Sequence, residues 1–171
     1  MMRKISGRGL VAALALWLAS GAVCQAQTVS PPTDTGHVGR GKQIFKAKAH
    51  CDSCHGWAGT GDGDPHAAGD AANLRKSTLT REQIIEVIAC GRPGSAMPHF
   101  DAYAYGDDPC YGMSQAELGK DMPRNPPRPL QRHEIEAIAD YLQAKIIGKG
   151  KPTKAECTAY YGEAELCDEY P

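Results

Sequence analysis

The residues of this chain best suited to chemistry lie in the segment Cys51-Asp52-Ser53-Cys54-His55. Two thiols separated by two residues and followed at once by a histidine form the C-x-x-C-H pattern that attaches a c-type haem. At this spacing both thiols can reach the vinyl groups on one edge of a porphyrin, and the imidazole that follows can point at the iron. The pattern predicts one covalently bound haem c, held by Cys51 and Cys54, with His55 as an axial iron ligand.

Two other uses of such a motif need different surroundings. A thioredoxin-like redox pair is expected near a βαβ unit, and the chain has no strand periodicity. A zinc site needs further ligands at metal spacing. The remaining cysteines are scattered singly, at Cys24, Cys90, Cys110, Cys157 and Cys167. Haem attachment is therefore favoured over both alternatives.

An iron used for electron transfer needs a ligand on its other side. Met97 lies in a segment where Pro93, Gly94 and Pro98 disfavour helix and favour an extended loop. Such a loop can present a thioether to the open face of the ring, so we predict Met97 as the second axial ligand, with His99 as its main rival. His50 directly precedes Cys51 and cannot easily reach the opposite face of the ring. The other candidates are interpreted as packing or surface residues: His37, His66, Met113, Met122 and His133.

The N-terminus indicates export. Residues 1–26 contain basic residues followed by an apolar run at residues 10–18 and then small residues, as in a secretory signal peptide. The apolar run is shorter than the ~20 residues that span a bilayer. An uncleaved anchor and a lipoprotein cleavage at Cys24 are the alternatives. Cleavage would remove three basic residues and no acidic ones, so the mature chain would carry a net negative charge. We expect this mature protein to lie in the periplasm and to have no membrane span.

Composition fits one globular domain with a cofactor at its centre. The chain has 171 residues, of which 42% are hydrophobic, 23% charged and only 6% aromatic. A net charge of −1 gives no basic patch for nucleic acid. Few large core side chains are expected if a porphyrin fills the core. Residues 27–36 are interpreted as a linker, 37–148 as the haem domain and 149–171 as a C-terminal tail.

The local signals predict an all-α fold. We expect a helix over residues 38–48, a helix over Arg81–Cys90 that starts at a capping box of Thr80 and Gln83, and a helical turn at 114–117. Residues 131–147 give the clearest helix, and another capping box starts at Thr153. The apolar positions of the clearest helix follow helical spacing at Ile135, Ile138, Ala139, Leu142 and Ile146.

Over residues 39–148 the chain resembles the class I c-type cytochromes. The resemblance rests on the segments at 41–45, 51–55, 96–100 and 134–142, which occur in the order of that family. It implies a cytochrome c fold of helices and loops around one haem. It also implies that the first and last helices cross at Gly41 and pack through Phe45 and Tyr141.

The resemblance further implies that the ligand histidine donates its other ring proton to a loop carbonyl, which we expect to be that of Pro65. Asp62 and Asp64 lie beside Pro65. Their ligand series is incomplete for calcium, so a solvated turn is favoured.

The chain departs from this family at three places. The segment between Phe45 and Cys51 is longer than usual, so the first helix should bulge or end early. An insertion occupies residues 101–129, and the tail at 149–171 is additional. Cys90–Cys110 with Cys157–Cys167 is the most economical of the three possible pairings, and free buried thiols are the alternative. One group of insertion residues could form a docking face or cover a haem edge: Tyr103, Tyr105, Asp107, Asp108 and Tyr111.

These observations predict an electron-transfer protein rather than an enzyme. The expected function is to carry single electrons from a periplasmic dehydrogenase to an oxidase or another cytochrome. By family analogy the donor is a quinoprotein alcohol dehydrogenase. A haem c subunit of an oxidoreductase complex, such as a thiosulfate-oxidising system, is the alternative. A gas sensor or peroxidase-like enzyme with an open iron site is a third.

Overall fold

Helices and loops make up the part of the chain that the computed structural model describes, which is residues 35–63, 66, 71–106 and 110–171. The α-helices are α1 (Thr35–Gln43), α2 (Cys51–His55), α3 (Arg81–Cys90), α4 (Gln115–Leu118), α5 (Arg132–Lys145) and α6 (Lys154–Tyr161). A π-helix at Ile44–Lys48 continues α1, and 3-10 turns lie at Leu74–Lys76, Gly119–Asp121 and Glu165–Cys167. None of the described residues forms a strand, so the predicted all-α class is confirmed.

Several sequence predictions fall outside this description. They concern the signal peptide at 1–26, most of the linker at 27–36, Asp64, Pro65, Asp107 and Asp108. Among the described helices, none combines the length and the apolar character needed to cross a membrane.

Helices α1 and α5 cross in close contact at Gly41. A Cβ placed on Gly41 would lie 1.9 Å from the carbonyl oxygen of Ala137, so any other residue would force the helices apart. One turn further on, the rings of Phe45 and Tyr141 pack with centroids 5.6 Å apart. The crossing at Gly41 and the aromatic pair that the resemblance implied are therefore confirmed.

The first helix changes its winding before the haem motif. Its α-helical turns end at Gln43, and residues Ile44–Lys48 follow as a π-helix. A π-helical turn accommodates extra residues without breaking the helix. Ile44 and Phe45 remain buried. The predicted bulge thus absorbs the long spacing to Cys51.

Helix α3 completes the frame against α5. It begins at the predicted capping box of Thr80 and Gln83 and buries Ile84, Ile85 and Ile88. Asp140 on α5 accepts hydrogen bonds from Arg81 on α3 and from Nδ1 of His37 on α1. One carboxylate therefore joins three helices.

The insertion and the C-terminal tail are each held by one disulfide. Cys90 pairs with Cys110, and Cys157 pairs with Cys167, which is the economical pairing. The second disulfide joins α6 to the 3-10 turn that follows it. The described residues from Thr35 to Pro171 belong to a single compact unit, so the tail packs as part of the haem domain.

Candidate haem site

Helix α2 is a single turn that contains the whole C-x-x-C-H motif. Because residues three positions apart share a helix face, Cys51 and Cys54 lie on the same side. Both are free, half-buried thiols, whereas the other cysteines of the described residues form disulfides. The turn starts from His50, whose φ of 52° is left-handed, and the His50 carbonyl accepts the N–H and hydroxyl hydrogen bonds of Ser53 at 3.1 and 2.6 Å.

The protonation of the Cys51 thiol argues against a redox-active pair. Burial, together with the negative charge of Asp52, raises the pKa of the Cys51 thiol to about 12. Thiol–disulfide exchange needs a thiolate, which reactive sites obtain by lowering the cysteine pKa. A thiol that stays protonated at neutral pH does not suit that chemistry. The described residues also contain no group of three or more His, Cys, Asp or Glu placed to hold a metal ion, which leaves the zinc alternative without support.

His55 is oriented as a neutral ligand. Its Nδ1 lies 3.0 Å from the carbonyl oxygen of Ala72. A carbonyl only accepts, so Nδ1 carries the proton and Nε2 keeps its lone pair. Burial lowers the pKa of His55, and although the bond to Ala72 opposes this, the net direction is downward. A neutral imidazole fixed through one nitrogen is the form that ligates iron.

The identity of that carbonyl corrects the sequence interpretation. Ala72 takes the role predicted for Pro65, which itself lies outside the described residues. The loop after the motif is drawn back towards α2, because Gly61 N–H donates to the His55 carbonyl at 2.9 Å and Leu74 N–H to the Gly59 carbonyl at 2.7 Å. This return brings Ala72 beside the ring. A main-chain acceptor has no side-chain signature, so the sequence gives no signal for it.

Met97 occupies an irregular segment, as predicted, and residues 91–100 are called the Met97 loop here. The side chain is half-buried, and its N–H donates to Ser95 Oγ at 3.3 Å. The Arg92 N–H donates to the Met97 carbonyl at 3.4 Å. The positive charge of Arg92 also lowers the pKa of His55, so this guanidinium lies close enough to the motif for the charges to interact. Arg92, a residue of the Met97 loop, therefore lies near the C-x-x-C-H motif.

The rival ligand His99 is occupied elsewhere. Its side chain is buried, and its Nδ1 and Nε2 lie 2.9 Å from the Asp101 carbonyl and from Asn125 Oδ1. With both ring nitrogens engaged, His99 has no free lone pair for a metal. Of the remaining histidines, His37 bonds to Asp140 and His133 contacts Arg40. These contacts leave Met97 as the better candidate.

The tyrosines of the insertion divide between two environments. Tyr105 is buried, and its hydroxyl donates to the Cys90 carbonyl at 2.8 Å. The Tyr111 hydroxyl donates to the Gly91 carbonyl at 2.7 Å. Only Tyr103, 84% exposed, stands out in solvent. Two of the three tyrosines thus bind the backbone next to the Met97 loop, a role that neither sequence interpretation anticipated.

The donor set fits a covalently attached haem: two free thiols on one helix face, a neutral imidazole between them and the returning loop, and a thioether on a separate loop. Residues 36–115 match the model of the family described as Cytochrome C oxidase, cbb3-type, subunit III. The match includes α2, α3 and the Met97 loop and supports the predicted c-type cytochrome domain. No curated protein and no solved structure gives a significant match.

Proposed function

From the c-type cytochrome domain that this chain contains, we propose that it is a periplasmic monohaem cytochrome that carries single electrons. Cys51 and Cys54 would form the thioether links, and His55 and Met97 would be the axial ligands. When bound, haem c supplies a reversible one-electron change at its iron. The observation that carries the proposal is the neutral His55 imidazole, fixed by the Ala72 carbonyl at 3.0 Å beside two unpaired thiols.

The protein residues would set how easily an electron moves. Ala72 holds the His55 ring in one orientation, and this bond strengthens donation from Nε2. A neutral thioether from Met97 favours the reduced state and raises the reduction potential. With His55 and Met97 as protein ligands in both oxidation states, little would need to reorganise when an electron is transferred. The chemistry needs no catalytic residue, which supports a carrier rather than an enzyme.

The proposed partners are a periplasmic dehydrogenase as donor and an oxidase or another cytochrome as acceptor. The net negative charge left after signal cleavage suits a donor with a basic patch, and family analogy favours a quinoprotein alcohol dehydrogenase. Tagged holoprotein should capture its donor from a periplasmic extract, and the captured dehydrogenase with its substrate should reduce the cytochrome. A captured dehydrogenase that leaves the holoprotein oxidised would contradict this donor.

A second candidate is a haem c subunit of an oxidoreductase complex, such as a thiosulfate-oxidising system or a terminal oxidase. The description of the matching family, an oxidase subunit, favours it. The largely exposed Tyr103 could then lie in a subunit interface. Native purification separates the two candidates: a free monomer supports the carrier, and constant co-purification with other subunits supports the complex.

An open iron site, as in a gas sensor or a peroxidase-like enzyme, would need the face opposite His55 to be free. Several hydrogen bonds anchor the Met97 loop, and both ring nitrogens of His99 are engaged by other groups. We therefore expect the reduced protein to bind carbon monoxide poorly. Rapid binding by the wild type at low carbon monoxide concentration would favour the open site.

A further inference from the structure

The insertion surrounds the Met97 loop with hydrogen bonds to its main chain. At the start of the loop, the hydroxyls of Tyr105 and Tyr111 donate to the carbonyls of Cys90 and Gly91. The disulfide between Cys90 and Cys110 lies at the same point. The first end of the loop is therefore fixed by three links, to Tyr105, Cys110 and Tyr111.

The middle of the loop is held by a second group of insertion residues. Gly94 N–H donates to the Asp121 carbonyl at 2.8 Å. Nη2 of Arg124 donates to the Ala96 carbonyl at 3.0 Å, and the Arg124 carbonyl accepts from His99 N–H at 3.1 Å. Arg124 thus binds the residue before Met97 and the second residue after it.

Met97 itself is weakly held within its own loop. Its N–H and carbonyl take part in bonds of 3.3 and 3.4 Å to Ser95 and Arg92, which are long for N–H···O geometry. Pro98, which follows it, has no N–H to donate. The position of the thioether therefore depends on what holds Ala96 and His99, and both are bound by Arg124.

We propose that Arg124 is a positioning residue that keeps Met97 at the iron, and that the insertion serves as a brace for this ligand. The inference rests on the proposed function, because it takes Met97 as the axial ligand. Local opening of a loop is an equilibrium whose population depends on the bonds that close it. Removal of the Arg124 side chain should increase the fraction of molecules in which Met97 has left the iron.

An external ligand measures that fraction. Imidazole can bind only while Met97 is away, so its apparent affinity rises in proportion to the open population. The purified oxidised holoprotein is titrated with imidazole, and the loss of the Met–iron charge-transfer band is followed. For Arg124→Ala we expect the apparent imidazole affinity to rise about threefold, the effect of one exposed hydrogen bond.

Arg128→Ala is the matched control. Arg128 is an exposed arginine of the same insertion, and no hydrogen bond or ion pair involves it within residues 35–63, 66, 71–106 and 110–171. This variant removes the same charge, so its imidazole affinity should equal that of the wild type. Arg124→Lys keeps a long cationic donor and should restore most of the wild-type behaviour. If Arg124→Ala does not accumulate, Arg124→Gln, whose donor is too short to reach, is titrated with the same expectation.

The outcomes separate the two claims. Equal imidazole affinities for the wild type, Arg124→Ala and Arg128→Ala, with the Met–iron band present in all three, would overturn the brace and leave the carrier function intact. A wild-type protein that shows no Met–iron band would overturn the ligand set of the proposed function itself. A rise confined to Arg124→Ala, reversed in Arg124→Lys, supports the brace.

Discussion

The insertion at 101–129 and the tail at 149–171 are both tied by a disulfide, yet they contact the haem site in different ways. The insertion contacts main-chain groups of the Met97 loop, as when the Asp121 carbonyl accepts from Gly94 N–H and the Tyr111 hydroxyl donates to the Gly91 carbonyl. The tail binds the surroundings of the C-x-x-C-H motif through side chains. Its Tyr160 hydroxyl, for instance, donates to the Asp52 carboxylate at 2.8 Å.

Aromatic and ionic contacts dominate on the tail side. Trp57, close behind His55, packs its ring 5.8 Å from that of Tyr160 and 5.2 Å from that of Tyr170. The buried guanidinium of Arg75 donates to the Ala58 carbonyl at 3.2 Å and to the Glu156 carboxylate at 3.1 Å. These contacts join the segment after the motif to α6.

The difference follows from the local backbone. Helix α2 and the loop behind it already pair many of their peptide groups with each other, so the contacts of the tail there involve side chains such as those of Arg75 and Tyr160. The Met97 loop has no helix of its own, and its N–H and carbonyl groups need outside partners. The insertion supplies them. The tail therefore stabilises the fold, and the insertion positions a ligand.

The largest effect should come from Arg75. Arg75→Ala leaves Glu156 and several main-chain carbonyls without their buried donor, and we expect a loss of about 4 kcal/mol of unfolding free energy, measured by urea denaturation. The Met–iron band of the folded protein should not change. Arg132→Ala, which removes an exposed pair with Glu136, should cost less than about 0.5 kcal/mol. Loss of the Met–iron band in Arg75→Ala would show that the contacts of the tail also position Met97.

The two disulfides give the sharpest matched comparison. Removal of Cys90–Cys110 as a double alanine variant should cost about 3 kcal/mol in the chain-entropy model. The sequence separations are 20 and 10 residues, so removal of Cys157–Cys167 should cost about 0.6 kcal/mol less. Only the first variant should bind imidazole more tightly. Equal imidazole affinities in both variants would contradict the separate roles.

A smaller effect is expected for Tyr160→Phe. It removes the hydroxyl that donates to Asp52 and keeps the ring packed against Trp57. We therefore expect the free energy of unfolding, measured by thermal denaturation, to fall by about 1 kcal/mol. Tyr161→Phe is the control from the same aromatic cluster, because no hydrogen bond of the Tyr161 hydroxyl occurs in the described residues. A Tyr161→Phe loss as large as that of Tyr160→Phe would show that the bond to Asp52 adds nothing.

The smallest expected effect concerns stability in acid and involves neither the insertion nor the tail. Burial raises the pKa of Asp140, but the hydrogen bonds and charges of Arg81 and His37 outweigh it and lower the pKa below its ordinary value. The folded state then binds this proton less readily than the unfolded chain. Its stabilisation is complete above the unfolded pKa of about 3.9 and is lost as pH falls through the folded value. Asp140→Asn should flatten the fall in stability on acidification, whereas Glu136→Gln should not; equal slopes for the two would contradict this.

The sequence identified the parts of the site whose chemistry resides in side chains. Cys51, Cys54 and His55 form a recognisable spacing, and the prolines around Met97 predicted its loop. Gly41 with Phe45 and Tyr141 followed from the resemblance. Both disulfides join cysteines that are close in sequence, which is why the economical pairing succeeded.

The missing parts depend on main-chain groups and on long-range packing. The carbonyl of Ala72 could belong to any residue type, so Pro65 was an equally reasonable choice from the sequence. Arg75 and Arg124 look like ordinary surface cations, and only the folded chain shows the carbonyls that they bind. The packing of the tail against Trp57 joins residues too distant in sequence for any local pattern to predict.

The central claim is that His55 and Met97 hold the iron of a covalently attached haem from opposite sides. The most direct measurement is the absorption spectrum of the oxidised, exported protein, recorded for the wild type and Met97→Ala and repeated after denaturation. We expect a Met–iron charge-transfer band in the wild type only, and haem that stays bound to both chains in denaturant. A band that persists in Met97→Ala, or haem that is released on denaturation, would contradict the account.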